Sequence, residues 1–185
     1  MSMLDSKLQF SNAQAVTASA ASTYMYDQLT GDQDTTTFTT SPKDIFGTAT
    51  YFGEDLGIGK GLGTPRVVVN TGTVFATLTG LTIQFDGAPN NATAQASGLR
   101  SDLTFVHYMA TAEILLAALT ANTRIASFDW PMRATGKALP RFIQLYYTVD
   151  GSNATTGTIT ADVTLGDDDA QTTLAYTSNN YKVAS

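Results

Sequence analysis

The chain has one histidine, two glutamates and no cysteine, so its conventional catalytic chemistry rests on few side chains. His107 is the only histidine. A serine triad would need it beside a nucleophile, and no G-x-S-x-G elbow is present. His107 lies inside the apolar run Phe105–Met109, where a core or cross-strand role outranks catalysis. Glu54 and Glu113 are the only glutamates, and no local pattern pairs either with a second carboxylate for glycoside cleavage. Without cysteine there are no disulfides, no thiol nucleophile and no thiolate zinc site.

Other motifs invite a ligand and fail on spacing. The stretch from Gly57 to Gly63 reads GIGKGLG, but a phosphate loop needs Gly-Lys followed by Ser or Thr, and Lys60 is followed by Gly61. Such a loop also opens a helix, whereas Pro65 and a strand-like run come next, so the stretch is a connector. Asp167, Asp168 and Asp169 lack the spaced acids, central glycine and late glutamate of a calcium loop, and read as a solvated acidic turn. Asn91-Ala92-Thr93 and Asn153-Ala154-Thr155 match the glycosylation acceptor pattern, which arises by chance in a chain so rich in Asn and Thr. Trp130 and the tyrosines suit a sugar-stacking platform, against the plainer reading that aromatics fill a core. No catalytic, cofactor-binding or metal-ligating residue is assigned.

Composition narrows the classes further. A length of 185 residues suits one domain with a sizeable core. Hydrophobic residues make up an ordinary 43%, but charged residues only 14%, so Thr, Ser, Asn, Gln and Gly supply the polarity. Threonine is β-branched and favours a pleated surface, which leans the chain towards sheet. The net charge of −6 and the scattered basic residues oppose binding to nucleic acid. The longest apolar run, Ile114–Leu119, is too short to span a bilayer, and the alanine-rich start lacks the basic flank and greasy run of a signal peptide. No membrane association is expected.

The positioning elements are strands. In Arg141–Leu165, Ile143, Leu145, Tyr147 and Val149 alternate onto one face, and Ile159, Ala161, Val163 and Leu165 onto another, around a polar turn. That period of two predicts a β-hairpin lining the core. Arg66–Asn70 (RVVVN) suits a central strand, Thr73–Leu78 and Leu81–Asp86 alternate, and Leu103–Ala110 is β-like. Pro89–Gly98 reads as a loop by composition. Ile114–Leu119 followed by Arg124–Trp130 reads as two strands joined by a turn at Thr120–Thr123, with a helix over Ile114–Leu119 as the second reading. The whole predicts an all-β sandwich in a single domain of roughly eight strands. Residues 1–23 form a polar N-terminal arm or first strand, 24–169 the sandwich with an insertion at about 32–52, and 170–185 a C-terminal tail.

Three blocks resemble the cement, or capsid-stabilising decoration, proteins of tailed bacteriophages: Leu8–Ser22, Leu62–Pro89 and, most specifically, Ile114–Leu165. In the last, a strand, a turn, a strand ending in Pro, Arg-aromatic-aliphatic-x-Leu-x-Tyr-Thr-Val and a Gly-containing turn recur in the family's order. The resemblance covers about two-thirds of the chain. It implies a jelly roll and a strand for Ile114–Leu119. It also implies a non-enzymatic virion protein on the outer capsid surface, binding the major capsid protein and bridging coat subunits, often as a homodimer or other homo-oligomer. The chain departs from that pattern at Asp32–Phe52, which looks inserted, and at Ala170–Ser185, which looks appended. The alternatives are a carbohydrate-binding or adhesion sandwich of a phage tail or fibre and, ranked last, a small β-sandwich hydrolase. Removing Met1–Thr23, or the chain beyond Asp169, is expected to leave a folded domain and weaken attachment, because both ends are polar and poor in core residues.

Overall fold

The computed structural model describes residues 9–28, 32–38, 66–89, 91–129 and 140–164. Eleven strands lie in this part of the chain: β1 (Gln9–Ala15), β2 (Ala20–Ala21), β3 (Met25–Asp27), β4 (Asp32–Asp34), β5 (Arg66–Thr71), β6 (Ala76–Ala88), β7 (Val106–Ala110), β8 (Ile114–Leu115), β9 (Arg124–Asp129), β10 (Phe142–Thr156) and β11 (Thr158–Thr164). One helix, α1 (Ala92–Ser97), joins them. A four-stranded antiparallel sheet runs β1-β11-β5-β9. The facing seven-stranded sheet runs β4-β3-β10-β6-β7, with β2 paired to β10 and β8 to β6. Setting aside the two- and three-residue additions β2, β4 and β8, the order 1-11-5-9 against 3-10-6-7 is the wrapped order of a jelly-roll β-sandwich.

The inward row predicted for β10 is correct. Ile143, Leu145 and Tyr147 are buried between the sheets with Leu81, Ile83 and Phe85 of β6, and Val149 packs against them. From the other sheet Val67, Val69, Ile159, Ala161 and Val163 complete the core. The predicted hairpin is not formed. β10 belongs to the seven-stranded sheet and β11 to the four-stranded one, so the turn carries the chain across the core. Gly157 makes that crossing at φ 140°, and a Cβ there would collide with the Phe75 ring. Alternation alone cannot separate these outcomes, because both put the same residues inward.

Four further expectations are corrected. The two alternating segments after β5 form one strand, β6, which pairs with β10 along most of its length. Pro89–Gly98 is not merely loop. Asn91 caps α1 by accepting from the Ala94 amide (2.8 Å), and Gly98 ends it in the left-handed conformation at φ 68°. Ile114–Leu119 is divided: β8 is two residues long and Leu116–Ala118 is a 3-10 turn, so the strand reading holds only for Ile114 and Leu115. Of the two readings of residues 1–23, the first strand holds and the arm does not. β1 pairs with β11, and Phe10, Ser11, Val16 and Ser22 are all buried. With these residues in the sheet and the core, removing residues 1–23 is expected to open the core rather than leave a folded remnant.

Part of the apparent insertion also packs. β4 pairs with β3, and Phe38 lies against Phe142 (ring centroids 4.4 Å apart) on the outer face of the seven-stranded sheet. There Met25, Phe38, Ala88, Ala94, Leu103 and Phe142 form a second, smaller cluster. Residues 39–52 and the tail 170–185 lie outside the described residues.

Candidate interaction surface

The sequence offers few chemical groups, and the structure disperses most of those it describes. His107 is a cross-strand residue: β7 places it opposite Asp86 of β6, with Nδ1 3.1 Å from Asp86 Oδ1. The pair sits near the β7 edge, on the outward face of the sheet. Asn91 is engaged as the helix cap and donates to the Asp102 carbonyl (3.1 Å). Asn153 is exposed on β10. Glu113 is exposed beside Gly80, away from the His107–Asp86 pair in the strand register. Glu54, the glycine-rich stretch 57–63, Trp130 and the aspartates 167–169 lie outside the described residues. Among the described residues no three His, Asp or Glu side chains converge on a metal-sized site.

Two polar arrangements invisible in the sequence lie on the outer face of the seven-stranded sheet. Arg141 and Asp27 form a buried bidentate pair, with Nε to Oδ1 at 3.0 Å and Nη2 to Oδ2 at 2.7 Å. The guanidinium also lies over the Phe142 ring at 4.5 Å. The pair ties the first residue before β10 to β3, a role open to arginine because its planar fork matches a carboxylate.

Arg100 is held without a carboxylate. Nε and Nη2 donate to Gln144 Oε1, Nη2 to the Ser22 carbonyl, and Nη1 to the carbonyls of Thr23 and Thr35. Burial lowers its pKa to about 10. It borders a cavity of about 560 Å³ lined in part by Thr35, Thr36, Leu99, Phe105 and Gln144. All five guanidinium donors go to the chain's own oxygens. Arg100 therefore works as a staple between three segments, with no donor left to grasp an anion.

The side of the sandwich formed by β7, β8 and β9 has a different character. From Thr104 to Asp129 the one buried residue is Leu119. Yet the segment carries Phe105, Val106, Tyr108, Met109, Ile114, Leu115, Ile125 and Phe128. Leu115 is 59% exposed and Val106 42%. Among the described residues β7 ends one sheet and β9 ends the other, so here the two sheets part at an edge. Between them lies a cavity of about 380 Å³ lined by Ile83, Met109, Thr111, Ile125, Ala126 and Phe128 among others. Phe128 stands edge-on to Phe85 there, with ring centroids 6.0 Å apart. The turn that launches β9 is firmly tied: Thr71 donates its amide to the Thr123 carbonyl (2.9 Å) and its hydroxyl to the Thr120 carbonyl.

The strand pattern predicted β-structure in this region, but not that its apolar residues would remain half-exposed. Residues such as Ile125 and Phe128 look like core on periodicity alone. An open apolar edge of this kind suits contact with another polypeptide, since it offers backbone pairing and apolar area together. No protein-family model matches the chain, and neither does any characterised protein.

Proposed function

We propose that this chain is a non-enzymatic structural protein of a phage virion. It would act as a cement protein that binds the major capsid protein on the outer surface and bridges coat subunits as a homodimer. The observation that carries the reading is the side formed by β7, β8 and β9, where apolar side chains stand half-exposed along two sheet edges. The jelly-roll strand order adds support, because it is the order implied by the resemblance of Leu8–Ser22, Leu62–Pro89 and Ile114–Leu165 to cement proteins. A surface poor in charge and rich in Thr and Asn offers many hydrogen bonds at small desolvation cost. A negative chain is better placed outside a shell than beside packaged DNA. Two attachment points per dimer make the second contact effectively intramolecular, so modest single contacts suffice.

The test is co-sedimentation with shells assembled from the coat protein encoded beside this chain's own gene. Saturable binding at a fixed ratio to coat subunits, with a raised temperature of shell rupture, is the expected result. Absence of co-sedimentation overturns the capsid role. Glycan-array binding lost on Trp130→Ala would replace it with the adhesion reading.

A further inference from the structure

The cavity beside Arg100 holds one buried hydrogen-bond donor that the described chain leaves unused, and we propose that this cavity binds the acetamido group of a neutral N-acetylated sugar. The site lies apart from β7, β8 and β9, and the proposal does not depend on the capsid role.

Gln144 stands on the outward face of β10 and is only 5% exposed. Its Oε1 accepts from Arg100 Nε (3.2 Å) and Nη2 (2.7 Å). A guanidinium only donates, so the amide oxygen must face Arg100 and the amide nitrogen is the group left over. Among the described residues Nε2 has no hydrogen-bond partner, and it is not sealed from solvent. Gln144 forms part of the wall of the 560 Å³ cavity, and with its oxygen taken Nε2 is what it offers there. A buried amide donor without an acceptor is costly, so the site favours a ligand that brings one.

The rest of the wall sets the ligand class. Leu99, Leu103 and Phe105 supply an apolar side. Thr36 and Ser101 are exposed at the mouth, and their hydroxyls bond to none of the described residues. A hydroxyl can donate or accept, as the hydroxyls of a sugar can. All five Arg100 donors are spent on Gln144 and on the carbonyls of Ser22, Thr23 and Thr35. A phosphate or carboxylate would therefore find no cation with a donor to spare. A plain aliphatic chain would leave Nε2 unpaired.

An acetamido group meets both demands. Its carbonyl oxygen accepts from Nε2, and its methyl group takes the apolar side. The sugar ring then reaches the hydroxyls at the mouth. The volume lies within the usual range for small-molecule sites.

The walls are set before a ligand arrives. The Phe38 amide donates to the Gly98 carbonyl and the Arg100 amide to the Thr36 carbonyl, each at 2.9 Å. These bonds tie the segment after β4 to the segment after α1. Such preorganisation lowers the ordering cost of binding.

The test titrates the full-length chain with free N-acetylglucosamine, N-acetylgalactosamine, glucose and galactose. At least one N-acetylated sugar should bind about tenfold or more tightly than its parent hexose, since a site built to pair a polar group rejects the analogue lacking it. Glucose 6-phosphate should bind no better than glucose. The double variant Thr36→Val, Ser101→Ala removes only the two unbonded hydroxyls. It should keep the melting temperature and weaken binding of the N-acetylated sugar roughly tenfold. Leu99→Trp fills the cavity from an exposed position and should abolish binding, and it decides the matter if the double variant fails to fold. Trp130→Ala should bind as the unaltered chain does.

Failure of both N-acetylated sugars to bind overturns the proposal, as does equal affinity for the parent hexoses. So does undiminished binding by the folded cavity variants, or binding lost with Trp130→Ala. A chain that decorates shells and binds no sugar loses this site and keeps the capsid role. A chain that binds the sugar and ignores shells does the reverse.

Discussion

The four-stranded sheet ends in two edges, and they are finished in opposite ways. At β1 the edge is closed. The strand bulges twice against β11, and Ala13 adopts φ 48° within the irregular stretch. Phe10 and Val16 point into the core. The Ser11 hydroxyl bonds to the Tyr147 phenol at 2.8 Å and to Gln14 Oε1 at 2.7 Å. The Gln14 side chain in turn accepts from the Thr23 amide and donates to the Ala21 carbonyl, folding the following segment back over the edge. At β9 no comparable cover exists among the described residues, and every side chain from Arg124 to Asp129 is exposed or half-exposed. Bulges and folded-over chain are standard protection for an edge strand. Among the described residues, one edge of the sheet is closed by a polar network and the other is left half-exposed and apolar.

Four measurements would break or sharpen that contrast. The largest effect is expected from removing residues 1–15, which strips β1 from the sheet and exposes β11. The remnant should show no cooperative thermal transition, and a sharp melting curve would show that the closed edge is dispensable. Leu145→Asp tests the core that both edges share. It puts an unpaired charge among fully buried residues and should cost more than ~4 kcal/mol in denaturant unfolding. An unchanged midpoint would contradict the inward row on β10.

Two phenylalanines then compare the edges directly. Phe10→Ala at the closed edge should cost about 3–5 kcal/mol, and Phe128→Ala at the open edge less than ~2 kcal/mol, because only Phe10 is fully buried. Equal losses would mean that β9 contributes to the core as β1 does.

The smallest effect concerns Asp162 on β11, whose neighbours are Gln9 and Val68. Burial raises its pKa, although a hydrogen bond from the Gln9 side chain opposes the shift, and Oδ1 has no partner. A folded-state value above the unfolded one favours the protonated form in the fold. Its contribution to stability is therefore full below the unfolded carboxylate value of about 3.9 and is lost as pH rises through the folded value. Asp162→Asn should raise the melting temperature at pH 7, and the gain should vanish below about pH 4. A gain independent of pH would show that packing, not ionisation, is responsible.

Where the sequence could be read, it was read through side-chain period and composition. The alternation of Ile143, Leu145 and Tyr147, and of Ile159, Ala161 and Val163, determined strands and their inward faces, because the pleat sends successive side chains to opposite sides. The run Arg66–Asn70 likewise determined a strand flanked on both sides. Helix α1 was signalled by Asn91 and Gly98 at its two ends, but the six residues between them, three alanines alternating with Thr, Gln and Ser, carry no helical period. The staple at Arg100 and the Arg141–Asp27 pair were not legible, since their partners lie 44 to 114 positions away in the chain.

The sequence by itself determined that this chain is a β-sandwich, since side-chain period is a local property. Tertiary structure alone decided that β10 and β11 lie in opposite sheets and that, among the described residues, β1 and β9 end the four-stranded sheet. Which strand lies beside which depends on backbone pairing between distant segments, and side-chain alternation carries no record of it.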